Sequence, residues 1–219
     1  DAIQRAIMRI LCIPSLRFVP LLSAIIFSAC ALGAPIPAPP TVAGSGHLLI
    51  DHNSGTVLSE ANADTRLEPA SLTKIMTAYV VFRELKEGNI QLEDTVLVSE
   101  KAWRTSGSRM FIEVGKKISV EDLLKGMIIQ SGNDASVALA EHLAGSEETF
   151  ANLMNNHAQR LGMSNTHFVN ATGLPDEDHY TTARDIAKVT AASIREFPDF
   201  YAWYKVKEFE FNSIKQNNR

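Results

Sequence analysis

A serine and a lysine three residues apart, Ser71 and Lys74, are the pair in this chain best suited to chemistry. They sit in Pro69-Ala-Ser-Leu-Thr-Lys-Ile-Met-Thr-Ala-Tyr-Val-Val81, where Leu72, Ile75, Met76, Tyr79 and Val80 recur at helical spacing. A separation of three puts both side chains on one helix face. The other positions are mostly Ala, Thr and Val, so the helix is expected to be buried nearly all round, with Lys74 the charged exception. Burial lowers an amine's pKa, and a neutral amine beside a hydroxyl takes its proton and makes it a nucleophile. Ser71 also reads as a first-turn capping residue. Ser-x-x-Lys alone arises by chance in many chains, so the pair needs partners.

Ser131-Gly132-Asn133 provides them. As an isolated string it is an ordinary turn. Acyl transfer, however, needs a nucleophile, a base, a carrier for the proton that goes to the leaving amine, and a group that positions the substrate amide. Ser71, Lys74, Ser131 and Asn133 supply one group for each task. The backbone N–H of Ser71, at a helix N-terminus, is placed to form half an oxyanion hole.

The elements that must hold these residues follow from punctuation and periodicity. Residues 47–51 and 56–60 read as strands around an Asn53-Ser54-Gly55 turn, hence a hairpin. The Ser71 helix runs to about Lys86 before Gly88. Residues 95–99 are strand-like, and 103–111 are rich in Ser, Gly and Arg. Ser119-Val-Glu-Asp122 opens a helix through Met127 and Ile128, which Ser131-Gly132-Asn133-Asp134 interrupts; the next helix spans 135–143. Ser146 caps a helix to Leu161, and another covers about 182–196, ahead of Pro198. Val206, Phe209 and Phe211 suggest a short strand, and 213–219 is a polar tail. Strands, a helical block and a final strand indicate an α+β domain whose first and last strands share a sheet.

Ahead of this lies a different composition. Arg9 and Arg17 precede an apolar run from Phe18 to small residues at 29–34, which reads as a signal peptide over residues 1–34 rather than a membrane-spanning anchor. Phe27-Ser28-Ala29-Cys30 is a weaker lipoprotein-like alternative. Met8 is a better initiator than Asp1, so residues 1–7 are expected to be non-native. Residues 35–45 form a Pro-rich linker, and 46–219 the folded part. Both cysteines, Cys12 and Cys30, fall in the leader, leaving no disulfide or thiolate metal site. Without the three Arg and one Asp of residues 1–34, 18 basic and 24 acidic residues remain, a net −6, with no basic patch for nucleic acid. The six histidines show no metal-ligand spacing, so neither metal nor other cofactor is expected. Asn170-Ala171-Thr172 matches a glycosylation sequon of no expected consequence here.

With these residues in view, the chain from Leu48 to Arg219 resembles the low-molecular-mass penicillin-binding proteins of the D-alanyl-D-alanine carboxypeptidase family. Ile50-Asp-His-Asn-Ser-Gly55, Pro69-Ala-Ser-Leu-Thr-Lys-Ile-Met76, Gln130-Ser-Gly-Asn-Asp-Ala135, Asn165-Thr-His-Phe168, Ala183-Arg-Asp185 and Phe209-Glu-Phe-Asn212 carry the resemblance. It implies a β-lactamase/DD-peptidase-like α+β fold, an antiparallel sheet with a helical subdomain. It also implies Ser71 as acylated nucleophile, Lys74 as general base, Ser131 as proton relay and Asn133 as substrate holder. The implied reaction removes the terminal D-alanine of peptidoglycan pentapeptides, and the implied inhibitors are β-lactams. The implied location is exported and periplasmic, peripheral to the inner membrane through a C-terminal anchor. One motif departs from the family: no lysine is followed by Thr-Gly or Ser-Gly. The third family motif, the C-terminal β-rich domain and the anchoring helix are therefore expected beyond Arg219, and the 219-residue piece is expected to show little or no peptidase activity. D-alanyl-D-alanine endopeptidase activity and a non-catalytic penicillin-recognising domain stay as alternatives. A β-lactamase would need a Glu-x-x-Leu-Asn string, which is absent from the sequence.

Overall fold

The structure is a computed structural model that describes residues 42–218. The signal-peptide reading of 1–34 and the linker up to residue 41 lie outside the described residues. The last linker residues, 42–45, are exposed and belong to no helix or strand.

The domain opens with the expected hairpin, β1 (His47–Ile50) against β2 (Val57–Ala61), antiparallel from His47↔Ala61 to Ile50↔Val57. Asp51 holds its turn: one carboxylate oxygen accepts from both the N–H and the hydroxyl of Ser54 at 2.7 Å. A 3-10 turn over Ala70–Leu72 then leads into α1 (Thr73–Glu87), which ends at Gly88 in the left-handed conformation. Met76, Val80, Val81 and Phe82 are fully buried, and so are Thr73, Thr77 and Ala78. The helix is thus enclosed on nearly every side, as its composition implies.

Next come β3 (Thr95–Leu97), α2 (Glu100–Arg104) and β4 (Lys117–Ser119), with β3 and β4 antiparallel around Val96↔Ile118. Then α3 (Val120–Gln130), α4 (Asn133–Ala144), α5 (Glu147–Arg160) and α6 (Ala183–Glu196) surround α1. Three of these helices begin where the sequence carries a cap. Ser119, Ser146 and Thr182 accept from the N–H groups of Asp122, Thr149 and Asp185, each at 3.1 Å. Leu124, Leu139, Phe150 and Met154 pack with the buried face of α1 into one core.

The chain then turns through α7 (Pro198–Tyr201) and a 3-10 turn over Ala202–Lys205 into β5 (Glu208–Phe211) and β6 (Ile214–Asn217). The polar tail is therefore half of a second hairpin. Asn212 and Ser213 take φ values of +49° and +61°, the pair of positive values a two-residue primed turn requires. Gln216, 4% exposed, donates to the Met110 carbonyl at 3.0 Å and fixes the hairpin on the domain.

The α+β class stands, but the sheet pairing differs from expectation. β1 and β5 do not share a sheet; the described residues form three separate two-stranded sheets. The reason is where each strand rests: β1 packs on α6, whereas β5 and β6 pack on α3. Helix α4 also starts two residues earlier than expected, at Asn133.

Candidate active site

The backbone before Ser71 is bent to present it. Ala70 takes φ +46°, a left-handed value costing a non-glycine residue about 1 kcal/mol. Ser71 itself is exposed, the middle residue of the 3-10 turn. It caps no backbone N–H, contrary to expectation. Its hydroxyl is engaged elsewhere, accepting from Lys74 Nζ at 3.3 Å and from Ser131 Oγ at 3.0 Å. Lys74, one turn along, is only 6% exposed. Its second acceptor is the Thr172 carbonyl at 2.7 Å. Burial draws the Lys74 amine from an ordinary 10.5 down to about 8, although the Asp134 carboxylate pulls the other way.

Ser131 arrives from the other side. It ends α3 in the left-handed conformation, φ +61°, and the chain restarts at once as α4. Asp134, in the first turn of α4, fixes this break. Its two carboxylate oxygens accept from the successive N–H groups of Met110, Phe111 and Ile112 at 3.0, 3.0 and 3.2 Å. Asn133 is tied to the same loop: its N–H donates to the Ser108 carbonyl and its Nδ2 to the Ser106 carbonyl, both at 2.7 Å. The structure thus joins Ser71, Lys74 and Ser131 in one hydrogen-bonded group. Asn133 lies two residues beyond Ser131, and among the described residues no hydrogen bond joins it to that group.

Behind α1 lies a third segment, 170–174. It supplies the Thr172 carbonyl, and its Ala171 carbonyl accepts from Thr77 Oγ1 at 2.8 Å. Gly173, at φ +86°, lies so close to Ala70 that a Cβ there would run into the Ala70 carbonyl group. His179 anchors the neighbouring residue of the motif. Its Nδ1 accepts from the Val169 N–H at 3.1 Å, so its Nε2 carries the proton and donates to Thr73 Oγ1 at 2.8 Å. Burial holds this imidazole below its ordinary value. The space at the trio is a cleft of about 80 Å³ that Ile75, Met127, Ile128 and Tyr204 also line. Larger clefts occur elsewhere, among them an apolar groove of about 450 Å³ between β1 and α6, but Lys74 and Ser131 line none of them.

Four contributors escaped the sequence reading: Thr172, Asp134, His179 and Tyr204. Thr172 acts through a backbone carbonyl, which any residue carries. Asp134 reads in sequence only as part of the loop between two helices. Chemically the arrangement offers an exposed hydroxyl, a buried amine that is neutral in part near pH 8, and a second hydroxyl donating to the first. Those are the parts of a serine acyl-transfer site.

Comparison with known proteins agrees. A family profile described as D-alanyl-D-alanine carboxypeptidase matches residues 34–219. D-alanyl-D-alanine carboxypeptidase DacC of Escherichia coli is 50% identical over 186 residues, covering 82% of this chain and 46% of the relative. Among solved structures, penicillin binding protein 5 of Haemophilus influenzae superposes with a TM-score of 0.81 at 44% identity, over 83% of this chain and 54% of that one. Penicillin-Binding Protein D2 of Listeria monocytogenes, in its ampicillin-bound form, superposes at 0.70 with 28% identity, over 79% and 71% of the two chains. The chain spans about half the length of the curated relatives it matches, 46% and 47% of two of them.

Proposed function

On the premise that the chain belongs to the D-alanyl-D-alanine carboxypeptidase family, we propose that it carries the nucleophile of a serine-type carboxypeptidase acting on peptidoglycan pentapeptides. The observation that carries this reading is the Ser71 hydroxyl held 3.3 Å from Lys74 Nζ and 3.0 Å from Ser131 Oγ. Lys74 in its neutral form takes the Ser71 proton, and Ser71 Oγ attacks the carbonyl between the two D-alanines. The Ser71 N–H, at the start of the helix, faces the negative charge that develops on the carbonyl oxygen. The C–N bond then breaks as Ser131 gives its proton to the departing amine and regains one from protonated Lys74, which returns to its neutral form as D-alanine leaves. Water hydrolyses the ester on Ser71. Asn133 is assigned to hold the substrate backbone, which requires its side chain to exchange the Ser106 carbonyl for the peptide.

A strained β-lactam amide presents the same carbonyl to the same hydroxyl, so β-lactams are the inhibitors assigned to this site. The substrate places the protein in the bacterial envelope, exported and periplasmic, on the outer side of the inner membrane. Among the described residues no helix is long and apolar enough to cross a membrane. The test is labelling of the full-length gene product with a fluorescent penicillin beside its Ser71→Ala variant. Loss of label in the variant is expected; equal labelling removes Ser71 as nucleophile.

A further inference from the structure

The Lys74 amine ends on a backbone carbonyl, and one side chain shapes the turn that aims it. Asn170 Oδ1 accepts from three donors: the Gly173 N–H at 2.7 Å, the Thr172 hydroxyl at 3.0 Å and the Thr172 N–H at 3.1 Å. Its Nδ2 donates to the Leu174 carbonyl at 3.0 Å, and the Leu174 N–H donates to Thr172 Oγ1 at 3.1 Å. Residues 170–174 are thereby closed on themselves, and two of their carbonyls face α1. Those of Ala171 and Thr172 accept from Thr77 and Lys74, three residues apart on the helix. On its far side the turn is held by Glu147 at the start of α5, whose carboxylate accepts from the Ala171 N–H at 3.1 Å. Gly173 abuts Ala70, the left-handed residue that presents Ser71. One turn therefore touches both the lysine and the backbone of the nucleophile.

We infer that Asn170 is a positioning residue: through the turn it organises, it holds the Thr172 carbonyl on Lys74 and so fixes the amine beside Ser71. This rests on the reading of Lys74 as the base for Ser71. It also gives Asn170-Ala171-Thr172 a physical meaning. The spacing that mimics a glycosylation sequon is the spacing at which an Asn side chain reaches the N–H and hydroxyl two residues on. The Asn170 amide nitrogen is already committed to Leu174.

The consequence is a dependence on pH. A carbonyl at 2.7 Å favours the protonated amine, which has more hydrogen to donate than the neutral one. The other groups facing this region are Asp134 from α4, Tyr204 from the 3-10 turn after α7, Glu147 from α5 and His179 behind Thr73. Glu147 and His179 meet the segment and the residue ahead of it, through the Ala171 N–H and the Val169 N–H, so each variant is compared with wild type over the same pH range.

The experiment measures the rate of Ser71 acylation by fluorescent penicillin against pH, in the full-length gene product and in its Asn170→Ala and Asn170→Asp variants, with folding checked by thermal denaturation. Asn170→Ala loosens the carbonyl from the amine. Its acid limb is expected to move down by about one pH unit. Its plateau rate is expected to fall about tenfold as the amine loses its fixed place. Asn170→Asp keeps the acceptor for the three donors and adds negative charge, so its limb is expected to move up. A residue that only stabilised the fold would lower the melting temperature and leave both limbs in place. A folded Asn170→Ala protein with wild-type limb and plateau overturns the inference. If Asn170→Ala does not fold, an Asn170→Asp limb at the wild-type position overturns it instead. Ser71→Ala separates the two layers: label that survives this change removes the nucleophile reading, whereas lost label with unmoved limbs removes only the role of Asn170.

Discussion

Replacing Lys74 by Met tests whether the buried amine is a stability cost held for its chemistry. Methionine keeps an unbranched apolar stem of similar length and removes only the titrating group. The folded amine titrates at about 8 instead of 10.5, so the unfolded chain binds the proton more tightly across that window. Stability therefore rises with pH between these values, and below pH 8 the cost is fully present. At about 1.4 kcal/mol per pH unit, the cost at pH 7 is about 3 kcal/mol. The change to Met relieves that cost but strands the Thr172 carbonyl, a loss of about 1–3 kcal/mol. The net effect at pH 7 is then from about zero to about 2 kcal/mol of added stability. Urea denaturation at pH 7 and pH 10, followed by circular dichroism, isolates the lysine, because every other group titrates in both proteins. Wild type is expected to gain about 2.5 kcal/mol relative to the variant between the two pH values. A difference between the proteins that stays constant with pH refutes the reasoning, because it would mean that Lys74 titrates as it does in water.

Further outcomes follow from contacts around the same site. Gly173→Ala is expected to cost about 2–5 kcal/mol, combining a left-handed φ with collision against the Ala70 backbone. Gly55→Ala, at φ +72° with nothing within 4 Å of a new Cβ, is expected to cost about 1 kcal/mol. Equal falls in melting temperature for the two variants would falsify the close approach at Gly173. His179 must stay neutral to accept from Val169, and burial holds it below its ordinary 6.5. As pH falls through 6.5 the unfolded chain takes a proton that the folded chain resists, so stability declines. His179→Gln is expected to lose less stability than wild type between pH 7 and pH 5, as read by denaturant midpoints. Parallel losses would remove His179 as a contributor to acid sensitivity.

What could be read from sequence divides along physical lines. The pairing of Ser71 with Lys74 was legible because a separation of three shares a helix face, whereas Ser131 entered only through what acyl transfer needs and the family motif it matches. The helix starts at Ser119, Ser146 and Thr182 were legible because capping is a local interaction. Strand pairing was not, since it depends on which helix each hairpin rests against. The second strand of the last hairpin was missed because Ile214-Lys-Gln-Asn217 lacks the apolar alternation that marks a strand; its turn and the buried Gln216 hold it instead. Asn133 was expected to hold the substrate backbone; in the structure its amide donates to the Ser106 carbonyl. The Thr172 carbonyl leaves no mark in a sequence, although Asn170 beside it does.

The hydrogen bonds of the trio also set an order of assembly. Ser71 and Ser131 are 60 residues apart, and Lys74 and Thr172 are 98 apart. A nascent chain that has reached only α4 holds both serines but no carbonyl for the lysine, whose amine is then still in water and protonated. Such long-range closures form late, after the local helices. Closure of the trio therefore waits on completion of the helical domain, and a chain interrupted before residue 172 carries both serines without the carbonyl that holds the lysine.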